Sequence, residues 1–319
     1  MATGTTAGPT SGGGNSPFAR RGAPRRKAVP GDTRRHNRSL VLRTVFRSGP
    51  LSRADLARST HLTRAATSEL AGELLTEGLV EELGTRSDQG VGKPATLLGL
   101  VPDARLTVTL DLSDDARFRA TLVNLGWHGV DLSAGLLHAL DVPVHVANDA
   151  NAAALGELGL GGPAERSLLL VKIGHGVGAG LVLDGHLVVG DRFAAGEIGH
   201  VVVDPDGAAC ACGRIGCLET VMAAPRLRRA NDRERQAGGR RLGEALAPVV
   251  SALNLREIVL SGPLDVLDES FRTAALDAVR ERTMPAVGDN VDIRFSSLGE
   301  DDVLLGAAML VLDRELGVA

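Results

Sequence analysis

The three cysteines of this 319-residue chain all lie within eight residues, at Cys210, Cys212 and Cys217. In a chain without a secretory signal, such clustering is typical of metal binding and not of a disulfide framework. Together with His200 the cysteines supply three thiolates and one imidazole, a complete tetrahedral ligand set for zinc. A complete set leaves no coordination position for water, so we expect a structural Zn²⁺ that fixes the surrounding loop. Chance clustering without a metal is the alternative.

Length and composition favour two folded parts. At 319 residues and 44% hydrophobic, the chain is long enough for a small domain and a larger body with its own core. No apolar run approaches the ~18 residues of a membrane span. The first thirty residues also lack the apolar block of a signal peptide. We therefore expect a cytoplasmic protein that does not enter a membrane.

Charge is distributed unevenly along the chain. Residues 1–48 contain ten Arg or Lys and one acidic residue, Asp32, whereas the whole chain has a net charge of −4. A basic segment joined to an acidic body is expected when one end binds a polyanion, although a solubilising tail has the same pattern. Aromatic residues make up 2% and tyrosine is absent. This composition argues against stacking on single-stranded nucleic acid and favours double-stranded DNA as the partner.

The segment after the basic tail predicts a helix-turn-helix. Apolar residues at helical spacing indicate a first helix over Arg38–Arg47, which Gly49-Pro50 ends. Ser52 and Asp55 form a capping-box pattern at the start of a second helix, and Thr63 is placed to cap a third. Two short helices joined by a tight turn are typical of this motif. A packing module without DNA contact is the alternative.

A wing should follow, with strands over Leu79–Leu83 and Ala95–Leu100 around a polar tip at Arg86–Lys93. The start of the third helix enters the major groove in such folds, and Arg64 is the candidate for reading guanine. The other basic residues are expected to meet phosphates. The predicted DNA contacts are Arg34, Arg35, Arg38, Ser52, Thr63, Arg64, Ala65, Thr67, Ser68, Arg86 and Lys93.

Beyond the wing, the apolar pattern predicts an α/β body. Strand-like alternation begins at Leu106 and is interleaved with helical stretches. A buried strand is expected at Val144–Val146 and another strand at Leu168–Lys172. A strand and turn should follow over Ile258–Pro263, and a closing apolar helix over Val303–Leu316.

Two further patterns in the body leave alternatives open. The glycine-rich run Gly174–Gly180 follows a strand, which is compatible with a phosphate-binding loop and equally with a β-turn that binds nothing. The stretch Ala224–Leu242 is rich in arginine. A solvated helical face is favoured there over a second DNA contact.

The residues around the cysteines resemble the signature of the ROK family, which contains repressors, open reading frames and sugar kinases. The resemblance rests on Glu197–His200 followed by Cys210–Glu219, and Asn148–Ala154 is similar to another segment of the family. Gly31–Leu100 resembles the winged DNA-binding domain of the repressor branch, which the kinase branch lacks. The resemblance implies an actin-like, ribonuclease H-like α/β body and a repressor of sugar-related genes that forms a homodimer or homotetramer.

The same resemblance implies a sugar site. Asp149 matches the general base of the family's kinases, and Asn148 matches a residue that contacts the sugar. Glu197, His200 and Glu219 match positions that hold sugar hydroxyls, with His200 also binding zinc. Carboxylates and an imidazole held by a metal loop can orient hydroxyl protons. A sugar or sugar phosphate is therefore a candidate effector, and a retained architecture without ligand is the alternative.

Departures from the family pattern argue against catalysis. The first phosphate loop, normally Asp-x-Gly-Gly-Thr, stands here as Asp111–Asp115 with two additional carboxylates. Each would repel a nucleotide phosphate by roughly 1–4 kcal/mol at close range. Asp111 and Asp149 are 38 positions apart, which leaves room for about three secondary-structure elements. Much of the first lobe is therefore absent. We expect no kinase activity, a vestigial base at Asp149 and a cleft open on one side.

The chain is thus expected to divide into four segments. These are a disordered basic tail over 1–32, a winged helix-turn-helix over 33–101, a remnant of the first ROK lobe over 102–143, and the second lobe with the zinc loop over 144–319. The competing functions are a ROK sugar kinase and a DNA-binding protein whose body only dimerises.

Overall fold

The computed structural model describes residues 30–85, 95–102, 109, 142–161, 166–191 and 193–318. Within these ranges the chain forms two units, each with helices and a β-sheet. None of the helices in these ranges is both long and apolar enough to cross a lipid bilayer. The predicted wing tip, the loop Asp111–Asp115 and most of the predicted tail and first-lobe remnant lie outside the described residues.

The first unit contains three helices and a three-stranded sheet. Its elements are α1 (Pro30–Ser48), β1 (Leu51–Ser52), α2 (Arg53–Thr60), α3 (Arg64–Thr76), β2 (Val80–Thr85) and β3 (Thr96–Leu100). Both predicted helix caps are confirmed. Ser52 and Asp55 form the two bonds of a capping box, and the Thr63 hydroxyl accepts from the Ala66 N–H at 3.2 Å. His61 adopts the left-handed conformation that ends α2.

The sheet of this unit is antiparallel in the order β1-β3-β2. Leu98 in the central strand pairs with Leu51 on one side and with Glu82 on the other. The sequence does not predict β1, because a strand of two residues has no alternation to detect. The unit has three helices and an antiparallel hairpin formed by β2 and β3, and β3 also pairs with β1 just before α2. This arrangement is consistent with the predicted winged helix-turn-helix.

The first helix is longer than the sequence predicts. It begins at Pro30 and not at Arg38, so residues 30–32 belong to a helix and not to a disordered tail. Proline suits the first position of a helix because its missing N–H has no partner to lose there. The added turns are polar, and Arg34 pairs with Glu69 and Glu73 of α3. Apolar periodicity does not reveal helical turns that are stabilised by ion pairs instead of by buried apolar side chains.

The second unit is an α/β body around a five-stranded mixed sheet. Its strands are β4 (Leu168–Ile173), β5 (Val177–Leu183), β6 (His186–Val188), β7 (Glu257–Ser261) and β8 (Asp292–Phe295). Their order is β6-β5-β4-β7-β8, with β4, β7 and β8 parallel and the β4-β5 and β5-β6 pairs antiparallel. Its helices are α4 (Asp149–Leu160), α5 (Leu218–Met222), α6 (Ala224–Leu227), α7 (Asp232–Leu253), α8 (Glu269–Arg282), α9 (Pro285–Gly288) and α10 (Asp302–Leu316).

Helices cover both faces of this sheet. Leu169, Val171 and Ile173 of β4 belong to one apolar cluster, which includes α7 and α8. Leu168 and Leu170 belong to a second cluster, which includes α4 and the start of α10. A strand buried on both faces is apolar at every position, which is why the sequence predicts β4 well.

The predicted strand at Val144–Val146 is wrong. These residues have no regular secondary structure, and the Val146 side chain is 57% exposed. An apolar run becomes a strand only where a neighbouring strand accepts its backbone hydrogen bonds. None of the described strands pairs with this segment.

The two units share part of a core at the end of α10. Val318 is 2% exposed and belongs to the apolar cluster of the first unit, with Val41 and Leu74. The Ser39 hydroxyl of α1 donates to the carbonyl oxygen of Leu316 at 3.4 Å. The last described residues therefore complete the core of a unit whose other members lie more than two hundred positions earlier.

Candidate metal centre and nucleic-acid interface

The four predicted metal ligands converge in the structure. One ligand atom from each of His200, Cys210, Cys212 and Cys217 lies within 4.8 Å of the others. The Cys210 Sγ lies 3.5 Å from His200 Nδ1, and the Cys212 Sγ lies 3.6 Å from the Cys217 Sγ. Tetrahedral zinc with ordinary Zn–S and Zn–N bonds requires ligand separations of about 3.6–3.8 Å. The cluster could therefore hold a metal ion without rearrangement of these pairs.

Backbone contacts shape the loop that presents the cysteines. The Cys210 N–H donates to the Arg214 carbonyl at 2.8 Å, which closes the turn containing Cys212. Gly216 has φ +70°, and a Cβ there would lie 1.5 Å from the Asp204 carbonyl oxygen. Only glycine fits this position. The loop is thus ordered by its own hydrogen bonds as well as by any bound ion.

The three thiols have different electrostatic environments. In the metal-free protein, burial raises the pKa of Cys210, and burial together with its thiol neighbours raises the pKa of Cys217 to about 12. The hydrogen bond with the Arg214 backbone lowers the pKa of the exposed Cys212. Because thiolates are the metal ligands, a metal that binds here displaces protons.

Three residues of the predicted sugar site lie at this cluster. His200 is one of its members, and Glu197 and Glu219 lie beside it. His200 directs Nδ1 toward Cys210 and Nε2 toward Glu197, whose Oε2 lies 3.8 Å away. One Glu219 oxygen accepts from the Val177 N–H at 3.3 Å, and the other lies 3.7 Å from the Cys210 Sγ. A carboxylate on the second ring nitrogen fixes the orientation of a ligand histidine.

Asn148 and Asp149 lie at the start of α4, apart from the metal loop in sequence. The Asn148 side chain caps α4 by accepting from the Asn151 N–H at 3.1 Å, and Asp149 accepts from the Ala150 N–H at 2.8 Å. Open depressions lie between α1 and α3 and between α7 and α8. Neither is lined by a residue of the predicted sugar site.

The glycine run forms a hairpin and not an open loop. The Gly174 N–H donates to the Gly176 carbonyl at 2.9 Å, and β5 begins at Val177. A Cβ at Gly180 would lie 2.4 Å from the Ala150 carbonyl oxygen, so this glycine lets α4 pack on β5. Helix packing accounts for Gly180 without a phosphate.

The start of α3 presents several predicted DNA contacts to solvent. Arg64, Ala65 and Ser68 are exposed, and so is Thr63, although its hydroxyl caps the helix. Two other predicted contacts, Thr67 and Ser52, are buried instead.

Thr67 and Ser52 are the two residues removed from the interface. Thr67 is fully buried, and its hydroxyl donates to the Thr63 carbonyl at 3.0 Å because α3 turns this position toward the core. Ser52 is 5% exposed, and its hydroxyl donates to the Asp55 carboxylate at 2.7 Å as part of the cap. Their hydroxyls are therefore engaged within the protein.

Arg34 and Arg38 face α3 and pair with its acidic side chains. Arg34 forms ion pairs with Glu69, at 2.7 Å, and with Glu73. Arg38 pairs with Glu77. Hydrogen bonds to the two carboxylates raise the pKa of Arg34. Arg35 is exposed, and Arg86 and Lys93 lie outside the described residues.

Sequence reasoning missed the contact between α1 and the chain after α10. Its signal is present in retrospect, because Gly317 follows the last helical residue and is itself followed by the apolar Val318. Gly317 has φ +68° and the Val318 N–H donates to the Leu312 carbonyl at 3.4 Å, as in a Schellman motif. The pattern predicts a helix end, but it does not show which surface Val318 contacts.

Comparison with known proteins identifies the family. Residues 97–237 match the ROK family. A glucokinase of Halalkalibacterium halodurans is 30% identical over 284 residues, covering 76% of this chain and 85% of the glucokinase. A xylose repressor of Bacillus spizizenii is 22% identical over 369 residues, covering 88% of this chain and 96% of the repressor. The chain belongs to the ROK family.

A solved structure supports the fold over nearly the whole chain. It is a ROK family transcriptional regulator, a homologue of the Escherichia coli Mlc protein, with a TM-score of 0.71 at 22% identity. The structural match covers 90% of this chain and 98% of the chain in that structure. The fold is therefore mixed α/β with an actin-like ROK body. The alignment with the xylose repressor spans 369 positions, more than the 319 residues of this chain, so the repressor contains residues that this chain lacks.

Proposed function

We propose that this chain is a sequence-specific DNA-binding repressor with a body that is not a working kinase. The observation that carries the proposal is the exposed start of α3, which presents Arg64 beside a sheet of winged type. The likeness to a xylose repressor over 88% of this chain, and to a ROK transcriptional regulator over 90%, supports it. The ROK match itself begins only at residue 97.

The base-reading surface consists of Arg64, Ala65 and Ser68 on one exposed turn of α3. An arginine in this position can donate two parallel hydrogen bonds to guanine. Arg35, Arg86 and Lys93 are proposed phosphate contacts.

We assign Arg34 and Arg38 a positioning role instead. Glu69 and Glu73 of α3 and its C-cap residue Glu77 lie at intervals of four residues and would repel DNA if they were unpaired. By pairing with them, the two arginines neutralise this edge and hold α3 against α1.

The test is duplex binding by the full-length protein. Selection from a random duplex library, followed by titration across a salt series, should yield a preferred sequence that binds at least tenfold more tightly than random DNA. Arg64→Ala should remove about 1–3 kcal/mol of discrimination at one base pair. Arg314→Ala, at an exposed arginine of α10 outside the arginine-rich stretch Ala224–Leu242, is the matched control. Equal affinity for all duplexes contradicts the proposal.

For the metal, we propose one structural Zn²⁺ held by His200, Cys210, Cys212 and Cys217. The ligand separations of 3.5 and 3.6 Å support a tetrahedral ion, and three sulfurs with one nitrogen are a donor set that zinc prefers. Such an ion would fix His200 and its neighbour Glu197, and therefore the side of the body that carries the predicted sugar residues.

The proposed effector is a sugar or sugar phosphate bound near Asn148, Asp149, Glu197, His200 and Glu219. We infer weak or absent binding, because the 38 positions between Asp111 and Asp149 are too few for the whole first lobe, and one wall of the family's sugar cleft has no counterpart. Calorimetry with sugars and sugar phosphates tests this, and sub-millimolar affinity for any of them contradicts the inference. Without any effector, the body serves to assemble a homodimer or homotetramer, which light scattering would measure.

A sugar kinase is the second candidate, because the glucokinase relative is 30% identical. We infer loss of that activity from the carboxylates at Asp111–Asp115, and Asp149 is then a vestigial base. The test is ATP consumption with a panel of hexoses. Turnover that Asp149→Asn abolishes would establish the kinase instead.

A further inference from the structure

Two arginines of α1 lie side by side at the junction of the two units. Arg43 and Arg47 are one helical turn apart, so their side chains are neighbours on one face. One terminal nitrogen of Arg43 donates to the Gly317 carbonyl at 3.1 Å. The Arg43 Nε is buried and has no hydrogen-bond partner among the described residues. A buried guanidinium nitrogen without an acceptor is unusual and calls for an explanation.

A third arginine approaches from the body. Arg166 precedes β4, and its guanidinium donates to the Asp184 carbonyl at 3.3 Å in the turn between β5 and β6. Desolvation lowers the pKa of Arg47, which is exposed at the end of α1, and the positive charges of Arg43 and Arg166 lower it further. Arg47 therefore lies within electrostatic reach of both arginines.

Carboxylates of the residues that the structure describes do not neutralise these three arginines. Arg34, Arg38 and Arg53 of the first unit each form an ion pair with a glutamate. Within the described part of the chain, Arg43, Arg47 and Arg166 form none, although the position of Arg47 in the last turn of α1 favours a positive charge there. The helix dipole does not account for Arg166, which belongs to the body.

We propose that Arg43, Arg47 and Arg166 form a binding site for a phosphate-type oxyanion at the junction between the DNA-binding unit and the body. The planar guanidinium group matches phosphate oxygens in pairs, and its hydrogen bonds to an anion are about twice as strong as neutral ones. One anion would bridge α1 to the turn before β6 and fix the orientation of the DNA-binding unit. This site lies outside the sugar and metal residues and extends the proposed function to its control.

The experiment uses full-length protein without DNA and inorganic phosphate as the probe. Phosphate is titrated at constant ionic strength set with chloride, and binding is followed by calorimetry and thermal unfolding. We expect saturable binding and a raised Tm in the wild type, with affinity lowered about tenfold in Arg47→Gln and in Arg166→Gln. Arg229→Gln, which removes the same charge from an exposed position on the body, should bind as the wild type does.

The proposal is overturned if phosphate acts no more strongly than chloride, or if both variants bind phosphate as the wild type does. The first result would mean that the chain neutralises its own arginines. Arg47 and Arg166 are both exposed, so should either variant fail to fold, the other carries the test alone. Because this experiment contains no DNA, its failure leaves the proposed repressor function standing.

Duplex titrations then distinguish the two sources of phosphate. If the anion is the DNA backbone, Arg47→Gln lowers the slope of log affinity against log salt by about one. If it is a free phosphorylated metabolite, that slope is unchanged in phosphate-free buffer, and saturating phosphate alters duplex affinity in the wild type but not in Arg47→Gln. Either result supports the oxyanion site and identifies its occupant.

Discussion

The guanidinium of Arg43 in α1 donates a hydrogen bond of 3.1 Å to the carbonyl oxygen of Gly317, just after α10. The next residue, Val318, is 2% exposed in the core of the first unit. The unit that carries the proposed DNA-reading helix is therefore closed by the far end of the body. We therefore expect the stability of the first unit to depend on Val318, which lies beyond the body in the sequence.

Val318→Ala should loosen the first unit while leaving the body folded. Removing two buried carbons from this core costs about 1.5–3 kcal/mol in the free energy of unfolding. Hydrogen–deuterium exchange should accelerate in α1 and α3 but not in β4 or β7. Val146→Ala, at a side chain that is 57% exposed, should change stability by less than about 0.5 kcal/mol. Unchanged exchange in α1 would contradict the shared core.

The proposed zinc site predicts about one metal ion per chain, a stoichiometry that follows from a single four-ligand set. Cys212→Ser and His200→Ala should each lose the ion and expose the loop around Gly216 to proteolysis. Elemental analysis and limited proteolysis measure both effects. His186→Ala, at an exposed histidine of β6, is the control and should retain the metal. Full metal content in both ligand variants would show that the cluster is not the site.

The positioning role of Arg34 predicts a separation of affinity from salt dependence. Arg34→Gln should weaken duplex binding because it leaves Glu69 and Glu73 unpaired beside the DNA. The salt slope should stay constant, since no phosphate contact is lost, whereas Arg35→Gln should lower it by about one.

A rescue experiment makes this assignment testable. Adding Glu69→Gln and Glu73→Gln to Arg34→Gln should restore most of the affinity, because the repulsive charges are then gone. If the triple variant binds as poorly as Arg34→Gln, and the slope has fallen, Arg34 contacts phosphate directly.

Loss of the buried carboxylate of Glu157 should destabilise the body. Glu157 is fully buried in α4 and accepts from the Ser296 hydroxyl at 2.6 Å and the Ser297 N–H at 2.8 Å. It also pairs with Arg294 at 2.8 Å. Glu157→Ala leaves these groups without their acceptor and should cost about 3–5 kcal/mol. Glu300→Ala, an exposed acid, should have little effect in the same denaturant titration.

The sequence alone predicts those features of the fold whose deciding contacts join residues that are close together in the chain. The caps at Ser52 and Thr63 follow from residues three positions apart, and both form as predicted. The apolar runs of β4 and α10 are also predicted within one residue at each end. The candidate metal ligands Cys210, Cys212 and Cys217 could be predicted because all three lie within eight residues of the sequence.

Tertiary structure decided what depends on distant partners. Thr67 looks like a DNA contact in the sequence, but packing turns it into the core. Arg34 looks like a phosphate contact, and two glutamates of α3 engage it. The run Val144–Val146 has the composition of a strand and no described neighbour to pair with. The sequence by itself thus determined the local caps and the candidate ligand set. Which residues of α3 are exposed, and where Val318 is buried, depended on long-range packing, because burial is a property of contacts between segments and not of any one segment.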